Sequence, residues 1–190
     1  MNTNIPETAL LIPSDFVIIG GSGDLSVRKI IPALFWRFLD KQINNKSRII
    51  ICVRSQINID ELKSKLIPHC QEALENKPEN KKHWNDFLNL LTIVNLDVVT
   101  GQGSQELSSI LKNKIDATRP FIFYLAISSS LFGKACILIN KEGLNLPQSR
   151  LVVEKPIGHN KSSAIEINNQ FAKYFEEHQI YRIDHYLGKE

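Results

Sequence analysis

The stretch "DFVIIGGSGDLSVRKIIPALFWRFL", residues 15–39, runs from an apolar segment through a glycine cluster into an amphipathic basic segment. Four apolar residues followed by Gly20, Gly21 and Gly23 read as a buried strand ending in a sharp turn. Beyond the turn, Ile30, Ala33, Leu34 and the run from Trp36 to Phe38 recur at helical spacing, which predicts a helix over 26–41. Strand, glycine turn and helix make the opening unit of an α/β fold. In such folds the first turn faces the ligand crevice.

The rest of the chain repeats this alternation. Strand-like runs follow at "RIIICV" (48–53), "LTIVNLDV" (91–98), "FIFYLAI" (121–127), "RLVVEK" (150–155) and "QIYRI" (179–183). Several are nearly continuous in Val, Ile, Leu and Phe, as in strands buried on both faces of a parallel sheet. Helical periodicity recurs over 103–114 and 160–178. The long link between the second and third strands is expected to hold two helices, broken near "NKPEN" (76–80) by Pro78. Right-handed crossovers then give a Rossmann-like, doubly wound α/β domain with a mainly parallel sheet and helices on both faces.

Composition narrows the function. A net charge of +3, with no run of basic residues, argues against nucleic acid as a partner. Cys52, Cys70 and Cys136 lie far apart and lack metal-ligand spacing, so they are expected to be buried free thiols in a reducing compartment. The N-terminal segment lacks the basic start of a secretory signal. No window reaches the roughly 18 apolar residues of a membrane helix. A cytoplasmic protein without a membrane partner is expected.

Two positions near the first turn suggest a dinucleotide. The glycines leave the backbone accessible to a pyrophosphate, and the amides and dipole of the following helix favour its charge. The spacing is GxxG, not the fuller GxGxxG fingerprint. Arg54 stands just past the second strand, where folds of this type that prefer NAD carry an acidic residue. A guanidinium there suits a 2′-phosphate, so NADP is the expected cofactor, with Ser55 and Gln56 as neutral donors.

Two late motifs suggest the substrate side. "VVEKPIG" (152–158) ends the fifth strand in a Glu-Lys pair and a proline; a cis bond at Pro156 would set a bend that aims Lys155. "YRIDHYLGKE" (181–190) gathers Arg182, Asp184, His185 and Lys189. A helical turn after Asp184 would put His185 and Lys189 at i and i+4 on one face, an arrangement fit to clamp a phosphate. The other histidines, His69, His83, His159 and His178, are expected in helices or loops away from the crevice.

Taken together, "IGGSGDLSVRKIIPAL", "VRS", "VVEKPIGH" and "QIYRIDHYLGKE", in this order, resemble the N-terminal part of the glucose-6-phosphate 1-dehydrogenase family. The resemblance covers the chain from about Asp15. It implies that Gly20, Gly21, Ser22, Gly23, Asp24, Leu25, Ser26 and Val27 form the NADP-binding turn and that Arg54 contacts the 2′-phosphate. It places Asp97 and Val98 near the cofactor and Lys155 within reach of both cofactor and sugar. His185 and Lys189 would hold glucose 6-phosphate, and Asp184 would orient a catalytic histidine. Two departures stand out: Ser26 replaces the family's usual alanine, and "YLAISSS" replaces a pair of prolines, which leaves that loop more flexible.

The resemblance also implies a division at the end of the chain. Residues 1–183 would form the cofactor domain and 184–190 the start of a truncated substrate and dimerisation domain. That second domain carries the family's general base and its homo-oligomer interface. The expected function is oxidation of glucose 6-phosphate to 6-phosphogluconolactone, the first step of the pentose phosphate pathway. The alternative is an inactive NADP-binding module, because loss of a general base costs about 10²–10⁴-fold in rate.

Overall fold

The computed structural model describes residues 11–113 and 119–184. Six strands, β1 (Asp15–Ile19), β2 (Arg48–Val53), β3 (Leu91–Asn95), β4 (Phe121–Leu125), β5 (Arg150–Glu154) and β6 (Ile180–Ile183), form one sheet in the order β3-β2-β1-β4-β5-β6. All five pairings are parallel. The doubly wound α/β class expected from the apolar runs is the one observed, with a wholly parallel sheet among the described residues.

The near-continuous aliphatic strands are explained by the two cores they serve. Ile50 and Cys52 of β2 join one buried cluster, while Ile49, Ile51 and Val53 join the other. β1 divides likewise, with Val17 and Ile19 on one side and Ile18 on the other. Successive side chains of a strand point to opposite faces, so a strand covered on both must be apolar throughout.

Helices α1 (Ile31–Leu39), α2 (Ile59–Asn76) and α3 (Asn80–Leu88) supply the cluster over β1, β2 and β3. Helices α4 (Ser104–Lys112), α5 (Phe132–Lys141) and α6 (Lys161–Ala172) supply the other. Right-handed crossovers running outward from β1 in opposite directions put their helices on opposite faces. Asn58 caps α2, its Oδ1 accepting from the Asp60 and Glu61 amides at 3.0 and 2.9 Å. α2 stops before Pro78, as expected, yet contains Pro68. Leu62, Leu66, Cys70 and Ala73 bury both halves of that helix in one core and hold it continuous across the proline.

Three local features differ from the sequence expectation. The helix after the first turn opens with a π turn over Ser26–Ile30, in which the Ile31 amide donates to the Ser26 carbonyl. Pro32 follows at once; its ring cannot fit a regular turn and it has no amide to give, so the widened turn absorbs the conflict. The helix expected over 160–178 ends at Ala172. α5 has no counterpart among the helices expected from periodicity, although Phe132, Ala135, Cys136 and Ile139 bury one helical stripe.

At the N-terminal edge of the sheet Asp15 is fully buried. Its Oδ1 accepts from Arg48 Nε at 2.8 Å and from Arg119 Nε at 2.9 Å, and Arg48 Nη2 donates to Oδ2. Arg48 continues to the Ile110 and Leu111 carbonyls at 2.6 and 3.2 Å. Those carbonyls belong to the last turn of α4, where no helical amide can reach them. Cys52, Cys70 and Cys136 are free and buried, as expected. Burial pushes the Cys70 and Cys136 thiols up to about 12 and that of Cys52 further. No helix among the described residues is long and apolar enough to cross a membrane.

Asp15→Ala is expected to lower the unfolding free energy by roughly 3 kcal/mol in urea titration, the low end for breaking a buried ion pair. Arg48 and Arg119 keep 25% and 14% of their side-chain exposure, which limits the penalty on the stranded charges.

Candidate functional site

The sheet reverses its order between β1 and β4, and the first turn lies at the carboxyl end of that junction. Such a switch point is where doubly wound sheets open a ligand crevice. Both the Gly20 and Gly21 amides donate to the Cys52 carbonyl of β2, at 3.0 and 2.9 Å. Gly23 donates back to Gly20 at 3.0 Å, and Val27 to Gly23 at 3.0 Å. Ser26 is buried, and its hydroxyl donates to the Gly20 carbonyl at 2.9 Å. The serine that departs from the resembled family therefore ties the turn to the helix.

The three glycines have separate reasons. Gly20 has φ of +91°, and a Cβ there would strike the Ala126 carbonyl oxygen beyond β4. A Cβ on Gly21 would run into the Ile51 side chain of β2. Around Gly23 a Cβ would meet only the Gly20 oxygen, at 3.2 Å. Packing between strands thus fixes Gly20 and Gly21, a correction to the reading that all three clear space for a ligand. Gly23 alone leaves its outer side open. Asp24 and Leu25 follow in the first helical turn, whose leading amides have no helical acceptor.

Arg54 is exposed one residue past β2. With its nitrogen facing β2, the Asn95 side-chain amide donates to the Val53 and Arg54 carbonyls at 3.2 and 3.0 Å, so the end of β3 braces the backbone that carries Arg54. A cavity of about 810 Å³ opens beside it, lined by Val53, Gln56, Ile57 and Asn58 among others. Asp97 uses its carboxylate locally: Oδ1 accepts from the Val99 amide at 2.7 Å and shapes the loop after β3. Val98 packs against the first core cluster.

At the other side of the crevice, Lys155 follows β5 and its peptide bond to Pro156 is cis. Its amide donates to the Ile183 carbonyl of β6 at 2.8 Å. Lys155 Nζ lies 3.7 Å from Asp184 Oδ2, with 51% and 28% of the two side chains exposed. Both line a cavity of about 540 Å³ together with Pro156, Gly158, His159 and Lys161. The structure thus brings His159 to the cavity, against the expectation that it lay away from the crevice; "EKPIGH" already placed it four residues past Lys155. Behind Lys155, the Tyr124 hydroxyl donates to the Glu154 carboxylate. Burial, and then that carboxylate, raise the Tyr124 pKa far above the ordinary phenol value. The serine loop after β4 is closed by the Leu131 amide on the Ser128 carbonyl at 2.9 Å. His185 and Lys189 lie outside the described residues.

A family model described as "Glucose-6-phosphate dehydrogenase, NAD binding domain" matches residues 17–190. A glucose-6-phosphate 1-dehydrogenase of Rhizobium meliloti (strain 1021) is 38% identical over 178 residues, covering 94% of this chain and 36% of the relative. One from Dickeya dadantii (strain 3937) is 38% identical over 176 residues, covering 93% of this chain and 35% of the relative. A solved structure described as glucose-6-phosphate dehydrogenase in complex with its substrate glucose-6-phosphate superposes with a TM-score of 0.84 at 31% identity. It covers 96% of this chain and 39% of that one. The chain therefore spans little more than a third of the length of these relatives.

The glycine geometry gives a differential expectation. Gly20→Ala and Gly21→Ala should each destabilise by about 1–3 kcal/mol, the usual range for overpacking. Gly23→Ala should change stability by less than about 1 kcal/mol while weakening dinucleotide binding. Urea unfolding and nucleotide titration of the three variants separate the two effects.

Proposed function

The chain belongs to the glucose-6-phosphate dehydrogenase family, whose NAD binding domain it matches, and from that premise we propose that it is the NADP-binding part of an enzyme oxidising glucose 6-phosphate to 6-phosphogluconolactone. The observation that carries this reading is the pairing of an open glycine turn at the β1–β4 switch point with an exposed arginine at the end of β2.

The residues present fit the cofactor. Gly20, Gly21, Ser22, Gly23, Asp24, Leu25, Ser26 and Val27 would form the turn that cradles the pyrophosphate, with Gly23 giving the closest backbone approach. Arg54 would take the 2′-phosphate of NADP through paired donors. Asp97 and Val98 would border the same cofactor through the shape of their loop, since the Asp97 carboxylate is engaged by Val99. The bound nicotinamide would accept the hydride released from C1 of the sugar.

The chain's own residues have the remaining tasks. Lys155 lines the cavity it shares with Asp184, at the carboxyl end of β5, and its ammonium would touch both cofactor and sugar. Asp184 would orient a base histidine supplied by another part of the family polypeptide, which takes the C1 hydroxyl proton. His185 would take the sugar phosphate instead, together with Lys189. This divides the chain into a cofactor domain at 1–183 and the beginning of the sugar-binding and homo-oligomer-forming part at 184–190. The reaction would be the first step of the pentose phosphate pathway, and a relative from Solanum tuberosum named as a cytoplasmic isoform supports a cytoplasmic place for it.

Titration with NADP and with NAD, each with and without glucose 6-phosphate, tests the assignment. One charge-assisted bond is worth about 1.5–3 kcal/mol, so Arg54→Ala should raise the NADP Kd by about ten- to a hundredfold and leave NAD unchanged. Equal losses for both nucleotides, or none, would overturn the role of Arg54. Failure of glucose 6-phosphate to alter NADP affinity would count against the sugar site.

A further inference from the structure

β4 and β5 separate at their carboxyl ends. Their ladder runs from Ile122 beside Arg150 to Tyr124 beside Val152 and stops there. β4 stays with β1 as far as Leu125 beside Ile19, and the Ala126 amide then donates to the Ile19 carbonyl at 2.9 Å. β5 stays with β6 as far as Glu154 beside Ile183, and the Lys155 amide then donates to the Ile183 carbonyl at 2.8 Å. The end of β4 is therefore tied to the glycine turn, and the end of β5 to Asp184 and its cavity. A side-chain bond spans the gap between them. Glu154 lies two residues beyond Val152, hence on the same face as Tyr124, and its carboxylate accepts from the Tyr124 hydroxyl.

We propose that Tyr124 is a positioning residue: its hydroxyl, anchored on Glu154, sets how far Lys155 stands from the cofactor-bearing ends of β1 and β4. The inference deepens the function proposed above and rests on it, since there Lys155 works between cofactor and sugar.

Tyr124 is placed for this task rather than for core packing. Its strand neighbours Phe123 and Leu125 belong to a buried cluster, whereas Tyr124 belongs to neither. Burial, and then Glu154, push its pKa up, so the hydroxyl keeps its proton and remains a donor at neutral pH. Donation to a carboxylate is stronger than donation to a neutral acceptor. Glu154 directly precedes Lys155, so holding the carboxylate holds the backbone from which the lysine projects. Displacing a functional group by about 1 Å can cost about a hundredfold in rate, which makes such a tie consequential.

Acetylation of Lys155 by acetic anhydride, followed by mass spectrometry with and without NADP, tests this in the 190-residue chain. NADP at about ten times its Kd leaves roughly a tenth of the chain free, so acetylation of Lys155 should slow about tenfold. Tyr124→Phe removes one oxygen and should reduce that protection to less than about threefold at the same occupancy, with the NADP Kd unchanged. Glu154→Ala should reproduce the loss. A merely structural bond would lower the urea midpoint of both variants and leave the protection of Lys155 intact, which overturns the proposal. Absence of protection in an unsubstituted chain that binds NADP, or a weakened NADP Kd in Tyr124→Phe, likewise overturns it and leaves the cofactor assignment standing. Failure of the unsubstituted chain to bind NADP overturns both.

Discussion

The structure depends on how β1 is held between β2 and β4. At one end the buried Asp15 carboxylate joins Arg48 of β2 to Arg119, which precedes β4. At the other, the Gly20 and Gly21 amides bind the Cys52 carbonyl, and the Ala126 amide binds Ile19. A buried carboxylate needs this much compensation to remain charged. The approach of strands at the turn in turn forbids any side chain at Gly20 or Gly21. The crevice is therefore placed by strand packing before any ligand is considered, and the geometry of Gly23 and the first helical amides follows from it.

Connection handedness then determines what is finished and what is left open. Moving outward from β1 in both directions with right-handed crossovers gives each half of the sheet helices on opposite faces. α4 returns across the sheet to the face that α5 and α6 also occupy, so among the described residues helices cover one face throughout and the other only halfway. That half lies under β5 and β6, the strands that Lys155 and Asp184 directly follow.

Much of this was legible in the residues. Strands such as "RIIIC" announce themselves because burial on two faces excludes polar residues at every position, and the Pro78 signal ends α2 by local chemistry. α5 escaped because "ACILI" is apolar at consecutive positions, and only the packed structure shows that Ile137 faces solvent while Cys136 and Ile139 do not. The separate reasons for the glycines could not be read either. They depend on Ala126 and Ile51, which are remote in sequence and adjacent only once the strands pair. The same holds for Tyr124 and Glu154, and for the arrival of His159 at the cavity.

The charged residues of the crevice show why such sites resist detection by stability arguments. Lys155 and Asp184 are brought together by the pairing of β5 with β6, through the Lys155 amide on the Ile183 carbonyl. Half-exposed and 3.7 Å apart, the pair contributes at most about 1 kcal/mol to folding. Arg54, exposed at its strand end, has no packing role either. By contrast, Arg48 and Arg119 are drawn inward by a buried carboxylate and secure the fold. The same residue type thus works at both ends of the sheet, and exposure separates the two uses: arginine at the amino edge is consumed by the structure, while charge at the carboxyl edge remains available to a ligand.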